Sequence, residues 1–93
     1  MSMHHTYILR CCDDTLYVGS TNDLVKRLHA HNFAKAGAHY TKIRRPVELV
    51  YSKASRTYAK ARALEAALKR LTRAEKLDII SGRLTINLKN KLV

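Results

Sequence analysis

Tyr7 and Tyr17 stand ten residues apart, each opening a short β-prone triplet, Tyr7-Ile8-Leu9 and Tyr17-Val18-Gly19. Two phenols brought side by side among cations can hydrogen-bond or take a proton from an oxygen under attack. Phosphodiester cleavage is one of the few functions that calls for such a pair. A free phenol has a pKa of about 10, so it needs cationic neighbours or a metal to ionise at neutral pH. The structural alternative is that both rings simply pack in a core.

Arg27 and His31 are four residues apart and share a helix face. There an arginine can clamp a phosphate through two N–H groups, and a histidine can move or orient a proton. Two solvated side chains on a basic helix would show the same spacing. Glu65 is the carboxylate between Glu48 and Glu75, set among Lys60, Arg62, Lys69 and Arg70. It reads either as the helical ion-pair partner of Arg62 or Lys69, or as an oxygen ligand for Mg²⁺ or Mn²⁺, hard ions that keep several waters. Cys11 and Cys12 are adjacent, lack the C-x₂₋₄-C spacing of a zinc site, and fit the reducing cytosol.

These residues need elements to hold them. At 93 residues the chain has room for one core. The segments around Tyr7–Cys12 and Thr15–Gly19 flank Asp13-Asp14, the pattern of a β-hairpin. Residues 20–23 offer capping oxygens for a first helix to Phe33, its periodicity turning Leu24, Val25 and Leu28 inward and leaving Arg27 and His31 at the edge of the buried surface. From Ala34 to Arg45 the periodicity lapses, which predicts an exposed loop. His39, Lys42, Arg44 and Arg45 in it, with Lys69, are the candidates for nucleic-acid contact. The apolar run Val47–Tyr51 predicts a third strand, central or well covered. Ser55 is the expected cap of a second long helix carrying Leu64, Leu68 and Leu71, and Thr72-Arg73-Ala74-Glu75 has the capping-box pattern for a third. The order β-β-α-β-α-α predicts an α/β (α+β) sandwich with a small sheet over residues 1–82 and a C-terminal arm over 83–93.

Lys and Arg number 18 against 7 Asp and Glu, a net charge of +11 spread along the chain. Such a surface attracts polyanions, nucleic acid above all, and says nothing of catalysis. No apolar stretch approaches the ~20 residues of a membrane span, and no secretory leader is present, so the expected location is the cytoplasm, on the nucleoid in a bacterium.

Taken in order, Thr6-Tyr7-Ile8-Leu9-Arg10, Thr15-Leu16-Tyr17-Val18-Gly19-Ser20-Thr21, Arg27-Leu28, His31-Asn32, Tyr40-Thr41, Arg45-Pro46-Val47 and Ala63-Leu64-Glu65 resemble the GIY-YIG nuclease domain in its small stand-alone form. The resemblance implies a three-stranded antiparallel sheet flanked by helices. It implies that one of Tyr7 and Tyr17 is the base for the attacking water and the other its support. Arg27 then steadies the scissile phosphate, His31 stands near the nucleophile, and Glu65 binds one divalent cation, Mg²⁺ or Mn²⁺. Three positions depart from the family's pattern: Thr6 replaces a glycine, Leu9 replaces a tyrosine, and Ser20 stands where some members carry a lysine that helps ionise a tyrosine. The implied activity is metal-dependent endonucleolytic hydrolysis of DNA. Without a second recognition domain, a preference for single-stranded or branched DNA is expected over a long recognition sequence, unless a protein partner supplies specificity. The alternatives are an inactive nucleic-acid-binding module or subunit of a DNA repair complex, and a basic RNA-associated structural protein.

Overall fold

The computed structural model of the chain describes residues 3–34 and 39–86, and of 39 and 40 the backbone alone. Strand β1 (His4–Cys11) is buried on both faces from Thr6 to Leu9 and therefore takes the centre of the sheet. It pairs antiparallel with β2 (Leu16–Thr21) on one side and β3 (Val47–Ser55) on the other, giving the order β2-β1-β3. The hairpin expected from Asp13-Asp14 is present, with Asp14 at φ +66° in the left-handed region that Asp tolerates. In register, Tyr7 faces Gly19 and Leu9 faces Tyr17, so the two phenols are diagonal neighbours on one face.

That face, Tyr7, Leu9 and Cys11 with Val47, is covered by α1 (Leu24–Phe33) through Leu24 and Leu28. Asp23 caps α1, its side chain accepting from the Lys26 N–H. The opposite face, Ile8 and Val18, packs against Leu64, Ala67 and Leu68 of α3 (Tyr58–Lys69) and Ile79 of α4 (Arg73–Ile80). The result is the expected α+β arrangement of a three-stranded antiparallel sheet flanked by helices. Thr72 and Glu75 form the capping box anticipated from the sequence, and Gly82, at φ +84°, takes the left-handed position after α4.

Several local expectations are corrected. Strand β3 is an edge, with Val47 buried but Glu48, Leu49, Ser52, Lys53 and Ala54 exposed. Its apolar run resembled a central strand because Val50 and Tyr51 do pack on the α3 side. Because β3 continues to Ser55, the cap of α3 falls to Thr57, which accepts from the Lys60 N–H. Val25 is 82% exposed, since α1 turns Leu24, Leu28 and His31 toward the sheet and Val25 away from it. The segment expected as an open loop carries a one-turn helix, α2 (His39–Lys42), whose Thr41 is fully buried. Of the segment expected as an arm, Leu84 and Ile86 pack on the α3–α4 core, while 87–93 lie outside the described residues.

Candidate active site

Gly19 makes the site possible. A Cβ there would lie 2.5 Å from the Tyr7 hydroxyl oxygen, 2.7 Å from Tyr7 Cζ and 3.2 Å from Tyr17 Cε1. The bare backbone of β2 thus lets the Tyr7 ring lie across it, with Tyr17 alongside. Tyr7 is 2% exposed, and its hydroxyl is 2.8 Å from His31 Nε2. The other nitrogen of that ring, Nδ1, is 2.7 Å from Thr41 Oγ1. Tyr17, half-buried, sets its ring edge-on to His31 at 5.1 Å between centroids. The Arg27 guanidinium, one helical turn before His31, lies in hydrogen-bonding reach of both phenols.

The charges fix the protonation pattern. Burial raises the pKa of Tyr7, against the opposing pull of Arg27. Burial first, then the charges of Arg27 and Arg45, push His31 down to about 4, so the imidazole is neutral at neutral pH. The hydrogen bond to Tyr7, against the cost of burial, makes Arg27 still harder to deprotonate. A neutral imidazole carries one N–H, so one ring nitrogen accepts and the other donates. Because burial keeps Tyr7 protonated, we assign the phenol O–H to donate to Nε2, with Nδ1–H donating to Thr41.

Glu65 stands on the other helical layer, 7% exposed, and is tied to the tyrosine site through the edge strand. Ser20, next to Gly19, donates to Glu65 Oε1 at 2.7 Å. Lys69 Nζ donates to Oε2 at 2.7 Å, and Arg62 Nη1 lies 3.6 Å from Oε1. Burial opposes ionisation of this carboxyl, but hydrogen bonds from Lys69 and Ser20 outweigh it and hold the pKa below the usual range. Its negative charge reaches Tyr7, where it adds slightly to the upward shift. Among the described residues no group of three His, Cys, Asp or Glu converges. One ionised, oxygen-bearing carboxylate nevertheless suits Mg²⁺ or Mn²⁺, which take one or two carboxylates and fill the remaining positions with water and substrate oxygens. Such an ion would have to displace Lys69 or share Glu65 with it.

The five candidate catalytic residues therefore fall into two linked groups: Tyr7, Tyr17, Arg27 and His31 on the α1 face, and Glu65 across β2. His31, expected at the edge of the buried surface, is 1% exposed because α2 covers it. The basic candidates are more engaged than their loop reading suggested. Arg45 closes the end of α1, its Nε donating to the His31 carbonyl at 2.6 Å and Nη2 to Ala34 at 2.6 Å and Ala30 at 3.3 Å. Arg44 Nε is 3.0 Å from Asp13 Oδ2, Lys42 is exposed, and Lys69 holds Glu65. The side chain of His39 lies outside the described residues.

Three contributors were missed: Thr41, Ser20 as a donor to Glu65, and Asn32. The Asn32 amide accepts from Val47 N at 2.8 Å and donates to Val47 O at 3.1 Å, fastening α1 to β3. No spacing signalled these, because each acts across a long stretch of chain.

The GIY-YIG catalytic domain model matches residues 3–78. A UPF0213 protein of Syntrophus aciditrophicus is 48% identical over 80 residues, 86% of this chain and 92% of its own length. The UPF0213 protein YazA of Bacillus subtilis is 47% identical over 73 residues, covering 78% of this chain and 73% of YazA. Among solved structures, a UPF0213 protein from Bacillus halodurans superposes with a TM-score of 0.56 at 35% identity, covering 85% of this chain and 83% of that one. A protein from E. faecalis gives 0.59 at 32% identity, over 89% and 88%. The chain belongs to the GIY-YIG catalytic domain family, a family of DNA nucleases, and is similar to its small UPF0213 members. Among the described residues no helix is long and apolar enough to cross a membrane.

Proposed function

We propose that this protein is a metal-dependent DNA endonuclease whose active site is the phenol–guanidinium–imidazole cluster completed by Glu65. The observation that carries the reading is the packing of Tyr7, Tyr17, Arg27 and neutral His31 around a glycine that no side chain could replace without displacing Tyr7. Tyr7 is sealed from solvent, its pKa raised, and its proton committed to His31. Tyr17 is the half-exposed phenol, so it is the one that meets a water; with its own proton released to solvent, the phenolate accepts the water's proton as the oxygen attacks phosphorus. Arg27 binds a nonbridging oxygen and offsets the charge that grows there. The P–O3′ bond breaks, and the leaving oxygen takes a proton from solvent. Glu65 would hold the divalent cation, whose chemistry is charge neutralisation at the phosphate.

The exposed Lys42, with Arg44 and Lys69, supplies sequence-independent attraction to the phosphate backbone. Arg45 acts by positioning His31 rather than by contacting DNA. The reading takes single-stranded or branched DNA as the preferred substrate and Mg²⁺ or Mn²⁺ as the cation.

One observation favours a second reading, a binding module without activity: both Glu65 oxygens are already taken by Ser20, Lys69 and Arg62. The test is incubation of wild type and Glu65→Ala with labelled single-stranded, duplex and branched DNA in Mg²⁺, Mn²⁺ or EDTA. Metal-dependent cleavage that disappears in the variant is expected. Binding with no cleavage on any substrate would establish the module instead.

A further inference from the structure

Beside Glu65, and outside the cluster that the chemistry uses, a cleft of about 210 Å³ opens between the start of β1, the end of β2 and the first turn of α3. His4, Ser20, Thr21, Asn22, Tyr58 and Ala61 line it. Tyr58 is the first residue of α3 and is 61% exposed, although it bears a large ring that burial would stabilise. His4 meets this ring edge-on, with centroids 5.7 Å apart at 75°. The Arg62 guanidinium lies 5.8 Å from its centroid.

Two of these groups also reach the carboxylate. Ser20 lines the cleft and donates to Glu65 Oε1, and Arg62 lies against both the Tyr58 ring and Oε1. Any ligand resting on Tyr58 is therefore held next to the proposed metal ligand.

We propose that this cleft is a nucleobase subsite, taking one unpaired base of a DNA strand against Tyr58 while the adjoining phosphate lies toward Glu65. The chemistry is that of single-strand recognition. A solvent-facing aromatic ring supplies a stacking platform, arginine adds a cationic partner to the π-systems, and cation-rich surroundings hold the backbone. The cleft is smaller than the ~300 Å³ at which pockets for whole drug-sized ligands begin, which suits a single flat ring. Asn22 offers an amide with donors and an acceptor, and His4 an imidazole, for the edge of the base. A base inside a duplex has both faces stacked and its pairing edge occupied, so it enters only when unpaired or flipped out. The subsite rests on the nuclease reading for its place beside a scissile phosphate, and it names the substrate feature that reading leaves open: an unpaired nucleotide next to the cut.

The experiment is equilibrium binding in EDTA, so that it reads out whether or not the protein cleaves. The probes are a fluorescent single-stranded oligonucleotide, the same strand with abasic sites, and the matching duplex, each against wild type, Tyr58→Ala and Tyr58→Phe. Loss of one base–aromatic stack weakens binding about 5- to 150-fold. The expected result is a loss of that size for Tyr58→Ala on the normal single strand, retention by Tyr58→Phe, and no change on duplex. The abasic strand should bind wild type as weakly as the normal strand binds Tyr58→Ala, and should not distinguish the two proteins. Equal binding of the single strand by wild type and Tyr58→Ala overturns the subsite, as does an equal loss on duplex and abasic DNA. Because Tyr58 is exposed, Tyr58→Ala should keep the wild-type circular dichroism and melting curve. Absence of cleavage by the wild type in Mg²⁺ would instead count against the nuclease reading and leave these binding comparisons intact.

Discussion

Acidification from pH 7 toward 4 is expected to destabilise the folded chain through His31. In the unfolded chain this imidazole takes a proton near its ordinary pKa of 6.5, whereas in the fold it resists protonation until about 4. Between those two values the unfolded state binds more protons, so stability is full above 6.5 and falls as the pH drops toward 4. Each unit separating the two pKa values corresponds to ~1.36 kcal/mol, which gives at most roughly 3 kcal/mol for this one side chain. That is a large share of the ~5–15 kcal/mol that holds a typical domain together. The comparison protein is His31→Gln, whose amide can still accept from Tyr7 and donate to Thr41 but does not titrate. Urea unfolding of both proteins at intervals from pH 7 to 4.5 isolates the His31 contribution as the difference in slope. Wild type should lose stability faster than the variant over this range. Parallel curves would refute the assignment of His31 as a buried neutral imidazole.

Three further outcomes are expected. Gly19→Ala drives a methyl into Tyr7, which cannot retreat without leaving His31, so urea unfolding should show a loss of about 1–3 kcal/mol together with reduced cleavage. Arg45→Met keeps bulk but frees three carbonyls at the end of α1 and removes a cation near His31; the imidazole pKa, followed by NMR, should rise and the melting temperature fall. Replacing Lys42 and Arg44 by alanine should weaken DNA binding on every sequence, flattening the logarithmic salt slope by about 1 for each phosphate that is no longer neutralised.

The hairpin, the α4 capping box and the helical face shared by Arg27 and His31 were legible because each depends on neighbours in sequence: a turn, a cap, a spacing of four. The pairing of Tyr7 and Tyr17 followed from the same local logic, one hairpin placing both on a face. What escaped was set by distant partners. β3 reads as central from its own residues, but its place at the edge follows from β1 being covered on both faces. His31 reads as marginal on its own helix, but Thr41, ten residues on, closes over it. Arg45 reads as a free cation until the end of α1 is folded against it. Glu65 read two ways from sequence, as ion-pair partner or metal ligand, and its contacts realise the first while leaving its chemistry suited to the second.

The most direct test of the catalytic cluster is the single-turnover cleavage rate of Tyr17→Phe at saturating enzyme in Mg²⁺, measured beside its DNA dissociation constant. The substitution removes only the phenol oxygen. The expected result is a rate lower by about 10²- to 10⁴-fold, the usual contribution of a positioned acid–base group, with an unchanged dissociation constant. Cleavage by Tyr17→Phe at the wild-type rate would contradict the mechanism.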